Sequence, residues 1–112
     1  MLRESTTTVV ERNTTWSGSF EAEPCEAAWA SEATYFVRLL AVSGSLVGVE
    51  ARVQVSPDGM HWCDEGTTLT VPSTSDTVTF TRVRHFGGWL RLVGELSPGI
   101  ELRVIVYLVL KA

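Results

Sequence analysis

The sequence has 112 residues, of which 45% are hydrophobic and 20% charged, a size and composition typical of one globular domain. Acidic residues exceed basic residues by 13 to 9, which gives a net charge of −4 and leaves no positive excess to neutralise a nucleic-acid backbone. We therefore expect a single folded domain whose partners are not nucleic acids.

The first third of the chain differs from the rest in charge and in pattern. Residues 1–33 contain six Glu against two Arg, whereas residues 34–112 contain seven acidic and seven basic residues. The first stretch has little apolar periodicity, which predicts an acidic N-terminal arm or edge strands (1–33) beside a β-sandwich core (34–112). Its alanines favour a short helix over Glu26–Ala33, the one helix that the sequence predicts.

From Thr34 onward, apolar residues recur with the period of two that is typical of strands. Tyr35–Val42 and Val47–Val55 are predicted to form a hairpin across Ser43–Ser45, and Ser56–Gly59 reverses the chain again. The further predicted strands are Met60–Glu65, Thr67–Val71, Thr77–Val83, Trp89–Gly94 and Ile100–Leu110. Seven to nine short strands at this spacing predict an all-β, antiparallel β-sandwich of jelly-roll type.

The last predicted strand is apolar on both faces. One face is uninterrupted from Ile100 to Leu110, and the other becomes apolar at Ile105, Tyr107 and Val109. Only one face of a sandwich strand looks inward, so the second face needs a cover from the N-terminal segment or from another subunit. Tyr35–Val42 has the same two-faced character, and two such strands favour an oligomer.

Four tryptophans are many for this length. Trp16, Phe20 and Trp29 lie in the acidic first third and are predicted, together with Ile105, Tyr107 and Val109, to contact other subunits. Trp62 and Trp89 are predicted packing residues or, alternatively, platforms on which a sugar ring stacks.

Residues with reactive side chains do not form a recognisable site. His61, Cys63 and Asp64 are close in sequence but lack the second ligand pair that a zinc site needs. Asp64 and Glu65 are adjacent in a strand and point to opposite faces, so they do not form a carboxylate pair for acid–base catalysis. We therefore predict no catalytic, cofactor-binding or metal-binding residues and no enzymatic activity. Whether Cys25 and Cys63 pair is left open, because pairing depends on how close the fold brings them.

The sequence has no secretory-signal pattern, and its most apolar stretch is shorter than the about 20 residues of a membrane helix. The expectation is a protein without a membrane partner that acts in the cytoplasm or in a particle assembled there.

Three segments carry a resemblance to known proteins: the hairpin from Val53 to Trp62, the strand from Gly88 to Val93, and the closing strand from Ile100 to Lys111. Together they resemble small β-sandwich proteins encoded among bacteriophage structural genes, over about the last two thirds of the chain. The hairpin is also similar to that of discoidin-type sugar-binding sandwiches.

The phage resemblance implies a non-enzymatic virion component, such as a capsid decoration protein or a head or tail accessory protein. Its expected partners are copies of itself and a larger protein lattice such as a capsid. The discoidin resemblance implies the alternative, a carbohydrate-binding β-sandwich module. Neither resemblance transfers catalytic residues.

Overall fold

The computed structural model describes residues 5–45 and 48–112, in which all regular structure is β-strand. Nine strands follow one another in these residues. They are β1 (Ser5–Ser17), β2 (Ser19–Glu21), β3 (Cys25–Glu26), β4 (Glu32–Ser43), β5 (Glu50–Ser56), β6 (Cys63–Thr70), β7 (Thr77–Arg84), β8 (Trp89–Glu95) and β9 (Glu101–Lys111).

The strands form two antiparallel sheets. The first sheet has the order β1-β9-β4-β7, and the second has the order β2-β8-β5-β6, with β3 also paired to β8. β2 and β3 pair with successive parts of β8, so β3 continues β2 after a break at Pro24, which has no backbone N–H to donate. These two orders are those of a jelly roll, and the predicted all-β sandwich is confirmed.

The core lies between the inner faces of the two sheets. β9 contributes Leu102, Val104, Val106 and Leu108, all fully buried, so the predicted core face of the last strand is confirmed. The inner faces of the neighbouring strands add a further set of buried side chains: Tyr35, Val37, Leu39, Ala51, Val53, Leu90 and Leu92.

Residues 5–33 are built into this sandwich and do not form an arm outside it. β1 pairs with β9 along its length, from Ser5 opposite Lys111 to Ser17 opposite Glu101. β1 and β2 are edge strands of the first and the second sheet, and both bring large side chains into the core. The weak apolar period of this segment reflects its register shifts against β9, which break the alternation.

The predicted helix over Glu26–Ala33 is wrong. Glu26 pairs with β8, a turn follows, and β4 begins at Glu32. Ala27, Ala30 and Ala33 are buried, so their small side chains let the chain pack closely against the core. Tertiary burial outweighs the helix propensity of alanine here.

The predicted hairpin between Tyr35–Val42 and Val47–Val55 is also wrong. β4 and β5 belong to opposite sheets, and the chain crosses between them after Ser43; Leu46 and Val47 lie outside the described residues. The two predicted strands Met60–Glu65 and Thr67–Val71 are one strand, β6, which pairs with β5. Gly66 makes this continuity feasible, because its φ of +110° accommodates an irregularity in the pairing.

Candidate protein-interaction face

The outer side of the first sheet carries a row of apolar and aromatic side chains across all four strands. Val9 pairs with Tyr107, Tyr107 with Phe36, and Phe36 with Phe80, so the four side chains lie side by side on one face. We call this surface the outer apolar face. It comprises Val9, Phe36, Val78, Phe80, Ile105, Tyr107 and Val109.

Phe80 and Val78 are the most accessible members of the outer apolar face, each 52% exposed. The Phe80 ring lies 5.8 Å from that of Phe36, and the Arg82 guanidinium lies 5.1 Å from the Phe80 ring centre. Ile105, Tyr107 and Val109, the predicted contact residues of the last strand, are half-buried on this same face.

Among the described residues, no strand covers this face. The second sheet packs on the inner side, and β1 lies beside β9 in the same sheet and not over it. The predicted cover by the N-terminal segment is therefore wrong for residues 5–33. Cover by another subunit stays a prediction.

β7 shows that this exposure is built into the chain. Its sequence, Thr-Val-Thr-Phe-Thr from Thr77 to Thr81, would normally bury Val78 and Phe80 and expose the threonines. The observed register does the reverse: Thr79 lies opposite the buried Val37, and its hydroxyl finds no hydrogen-bond partner among the described residues. A slip of one residue would bury Val78 and Phe80, but it would also bury Arg82 and Arg84 and expose Val83. The second half of the strand therefore holds this register and leaves the two apolar side chains outside.

Charged groups lie within and beside the outer apolar face. Arg38 lies between Val78 and Ile105 and donates a hydrogen bond of 2.8 Å to Asp76, which raises the pKa of the Arg38 guanidinium. At one end of the face, Arg82 and Lys111 line a cavity of about 100 Å³ that also includes Glu32. Apolar side chains flanked by charged groups are typical of surfaces that bind other proteins.

The predicted contact residues of the first third are found in two different environments. Trp16 and Phe20 are buried in the core, 2% and 7% exposed, with their rings stacked at 4.0 Å. They cannot anchor another subunit while the sandwich is folded, so this part of the prediction is wrong. Trp29 lies in the turn between β3 and β4 and is 41% exposed.

The second sheet has a polar outer side that holds Trp62 and Trp89. The Arg91 guanidinium lies 4.3 Å from the centre of the Trp62 ring, and the Trp89 ring packs against Gly59. Arg91 also donates hydrogen bonds to Gln54 and Glu21. Each tryptophan therefore already has a partner on one side of its ring.

Arg91 also lines a shallow groove that we call the polar groove, whose polar lining residues include Glu21, Arg52, Gln54, Arg91 and Glu95. Arg52 donates two hydrogen bonds, of 2.8 and 3.2 Å, to the Glu95 carboxylate. This contact lowers the pKa of Glu95 and raises that of Arg52. The polar groups of the groove bond chiefly to each other.

The turn between β5 and β6 is organised around Asp58. Its carboxylate accepts hydrogen bonds from the backbone N–H groups of His61 and Met60, and it also contacts the His61 ring at 2.6 Å. The bond from the His61 N–H is the largest cause that lowers the pKa of Asp58. The Ser56 hydroxyl contacts Asp58 and not the imidazole, so the three residues form a turn and not a nucleophilic triad.

Reactive groups elsewhere are isolated. Cys25 and Cys63 are both free thiols, and burial raises the pKa of Cys25. Residues 5–45 and 48–112 contain no group of three His, Cys, Asp or Glu side chains placed to hold a metal ion. The same residues contain no helix that is long and apolar enough to cross a membrane.

Comparison with known proteins identifies a solved structure with a similar fold. No protein-family profile matches the sequence, and no curated protein matches it. Among solved structures, the chain is similar to the SPBc2 prophage-derived protein YomS, with a TM-score of 0.57 and 11% identity over 100% of this chain and 96% of that one. The protein is therefore a jelly-roll β-sandwich with the same fold as a prophage-derived protein.

A second solved structure is less similar. It is CpGH89CBM32-5 from Clostridium perfringens in complex with GalNAc-beta-1,3-galactose, with a TM-score of 0.37 and 16% identity over 91% of this chain and 94% of that one.

Val9, Val78 and Phe80 are the members of the outer apolar face that the sequence did not reveal. Phe36 and the β9 residues stand out because their strands lack a polar face, but β7 alternates and looks like an ordinary half-exposed strand. The signal that identifies Phe80 is its pairing with Phe36, which appears only once the register between β4 and β7 is known.

Proposed function

We propose that this protein is a non-enzymatic structural component of a virion or similar particle, and that it acts through contacts with copies of itself and with a larger protein lattice. A capsid decoration protein or a head or tail accessory protein fits this description. The observation that carries the proposal is the outward placement of Val78 and Phe80, each 52% exposed, with Phe80 paired to Phe36 on the same outer face.

Two further observations support this function. The jelly roll is a recurrent fold of viral coat proteins, although it also serves other functions. The SPBc2 prophage-derived protein YomS shares the fold. Under this proposal the protein is found in the virion, or in the cytoplasm during assembly of the particle.

The test measures association with particles. Particles from the strain that encodes the protein are purified on a density gradient, and tagged wild-type protein is added and sedimented with them. We expect co-sedimentation that Phe80→Ser reduces by at least ten-fold, because removing one aromatic anchor of an interface costs about 2 kcal/mol or more. Absence of the protein from every particle fraction would contradict the proposal.

Met60→Ser is the matched control for this experiment. Met60 is 74% exposed and apolar, but it lies in the turn between β5 and β6, away from the outer apolar face. The Met60→Ser variant should sediment with particles as wild type does. An equal loss from both variants would show that general surface hydrophobicity, and not this face, drives binding.

The second candidate function is carbohydrate binding at the polar groove. The observation in its favour is the juxtaposition of Trp62 with Arg91, Gln54 and Glu21, because planar polar groups beside an aromatic ring are the chemistry that recognises sugars. A glycan array probed with wild type, Trp62→Ala and Trp89→Ala tests it. Binding that either substitution abolishes would support this function, and no binding by wild type would exclude it.

A further inference from the structure

The first half of β1 has an unpaired edge. β1 is the outermost strand of the first sheet, and in the part of the chain that the structure describes, Ser5–Val10 makes backbone hydrogen bonds only with β9. Every second residue of an edge strand points its N–H and C=O groups away from the sheet. These groups are free to pair with a further strand.

This edge also lacks the features that usually block such pairing. The segment Ser5–Val10 contains no charged residue and no proline, and the register shifts of β1 begin only after Val9. Charges, proline and bulges are the devices with which sheets protect their edges. By comparison, the edge strand β7 carries Arg82 and Arg84, and β2 is only three residues long.

The same segment projects beyond the second sheet. Thr6 and Thr8 pair with Leu110 and Leu108, which are buried, yet both threonines are exposed. The second sheet therefore does not extend over this part of β1. Another chain can approach the edge without contacting the second sheet.

We infer that two copies of the chain pair antiparallel through Ser5–Val9, across a two-fold axis, so that two first sheets become one continuous sheet of eight strands. The segment Ser-Thr-Thr-Thr-Val is complementary to itself: antiparallel pairing places threonine opposite threonine and brings no like charges together. A two-fold contact uses the same surface on both copies and closes at a dimer.

This arrangement rests on the proposed function in that it specifies how the self-association occurs. Val9 ends the row formed by Tyr107, Phe36 and Phe80. Pairing Val9 of one copy with Ser5 of the other would place both rows on one side of the eight-stranded sheet, offset by four residues along the strands. The outer apolar face of each copy stays accessible to a third molecule. A lattice would then meet a surface twice as wide as that of one chain.

Sedimentation equilibrium of the full chain over a range of concentrations tests the inference. A contact between two five-residue segments is smaller than a standard interface of about 1,200–2,000 Å², so the series extends to high protein concentration. We expect a monomer–dimer equilibrium whose Kd rises at least ten-fold in Thr7→Lys, because the two-fold axis places the introduced charges close together. A wild-type chain that stays monomeric throughout would overturn the inference.

Ser17→Lys is the control, because it adds the same charge to β1 beyond the register shifts, opposite Glu101. It should leave the dimer Kd unchanged. A dimer that Thr7→Lys leaves intact but Phe80→Ser dissociates would overturn edge pairing while retaining the outer apolar face as the self-association surface. A dimer that Thr7→Lys dissociates but that never binds particles would retain edge pairing and refute the particle function.

Cysteine cross-linking determines the register directly. Thr6→Cys, Thr7→Cys and Thr8→Cys are made separately in a Cys63→Ser background, which removes the exposed native thiol. Antiparallel pairing about a two-fold axis predicts that disulfide-linked dimers form best at one position and less at its neighbours. Equal cross-linking at all three positions, or none in a sample that contains dimer, would contradict the pairing.

Discussion

The contact between Phe20 and Gly94 offers the sharpest test of whether the N-terminal third belongs to the core. Phe20 on β2 pairs with Gly94 on β8, and its ring stacks on Trp16. A Cβ atom added at Gly94 would lie 2.5 Å from Cζ of the Phe20 ring, well inside normal contact distance. The glycine therefore leaves the space that the ring occupies.

We expect Phe20→Ala to lower the free energy of unfolding by about 3–5 kcal/mol, because it leaves a cavity beside Trp16. Gly94→Ala should lower it by about 1–3 kcal/mol, because the new methyl group overlaps the ring. In the double variant, the methyl group occupies space that the ring has vacated. The cost of Gly94→Ala should then disappear, which gives a coupling of about 1–3 kcal/mol between the two sites.

Urea unfolding followed by tryptophan fluorescence measures all four free energies of the cycle. Gly87→Ala is the matched control, since no atom lies within 4 Å of its added Cβ and its φ is not left-handed; it should change stability by less than about 0.5 kcal/mol. Additive effects of the two substitutions, or a Phe20→Ala variant as stable as wild type, would refute the packing of β2 against β8 described above.

Three further outcomes follow from local geometry. The pKa of Asp58 is lower in the folded chain than in the unfolded chain. The contribution of Asp58 to stability is therefore complete above a pH of about 4 and is lost as the pH falls toward the pKa of the folded state. Asp58→Asn should remove this contribution to the acid-side dependence of thermal melts. Gly88→Ala should lower the free energy of unfolding by more than about 1 kcal/mol in urea titrations, because φ is +73° and the added Cβ would lie 2.3 Å from the carbonyl oxygen that ends β5. Gly48→Ala is the control: its added Cβ has open space, so it should lower the free energy of unfolding by less. A thiol reagent should label the exposed Cys63 faster than Cys25, whose burial raises its pKa, and equal rates would contradict this placement.

Alternation along one strand can be predicted from the sequence, whereas the choice of partner strand cannot. The inward face of β9 follows directly from its apolar residues at every second position. Tyr35–Val42 fits a hairpin with the following strand equally well, but it pairs with β9 and β7, which lie far along the chain. Such pairings depend on the whole arrangement of the sheets, which local pattern does not contain.

The same limit explains the mixed outcome at the candidate site. Ile105, Tyr107 and Val109 are identifiable because they occupy a face that a sandwich strand normally leaves polar. Trp16 lies among threonines, and only its pairing with Leu102 shows that it points inward. Its neighbours give no information about that partner.

The pairing of β1 with β9 also has a consequence for the order of events during synthesis. Seven strands separate the two along the chain, so β1 emerges from the ribosome well before the strand that completes its ladder. At about 5–20 residues per second, the interval lasts on the order of several seconds. During that time the indole of Trp16 and the uncharged start of β1 are open to chaperones and to other nascent chains. The first sheet closes only when its last-made strand inserts between β1 and β4.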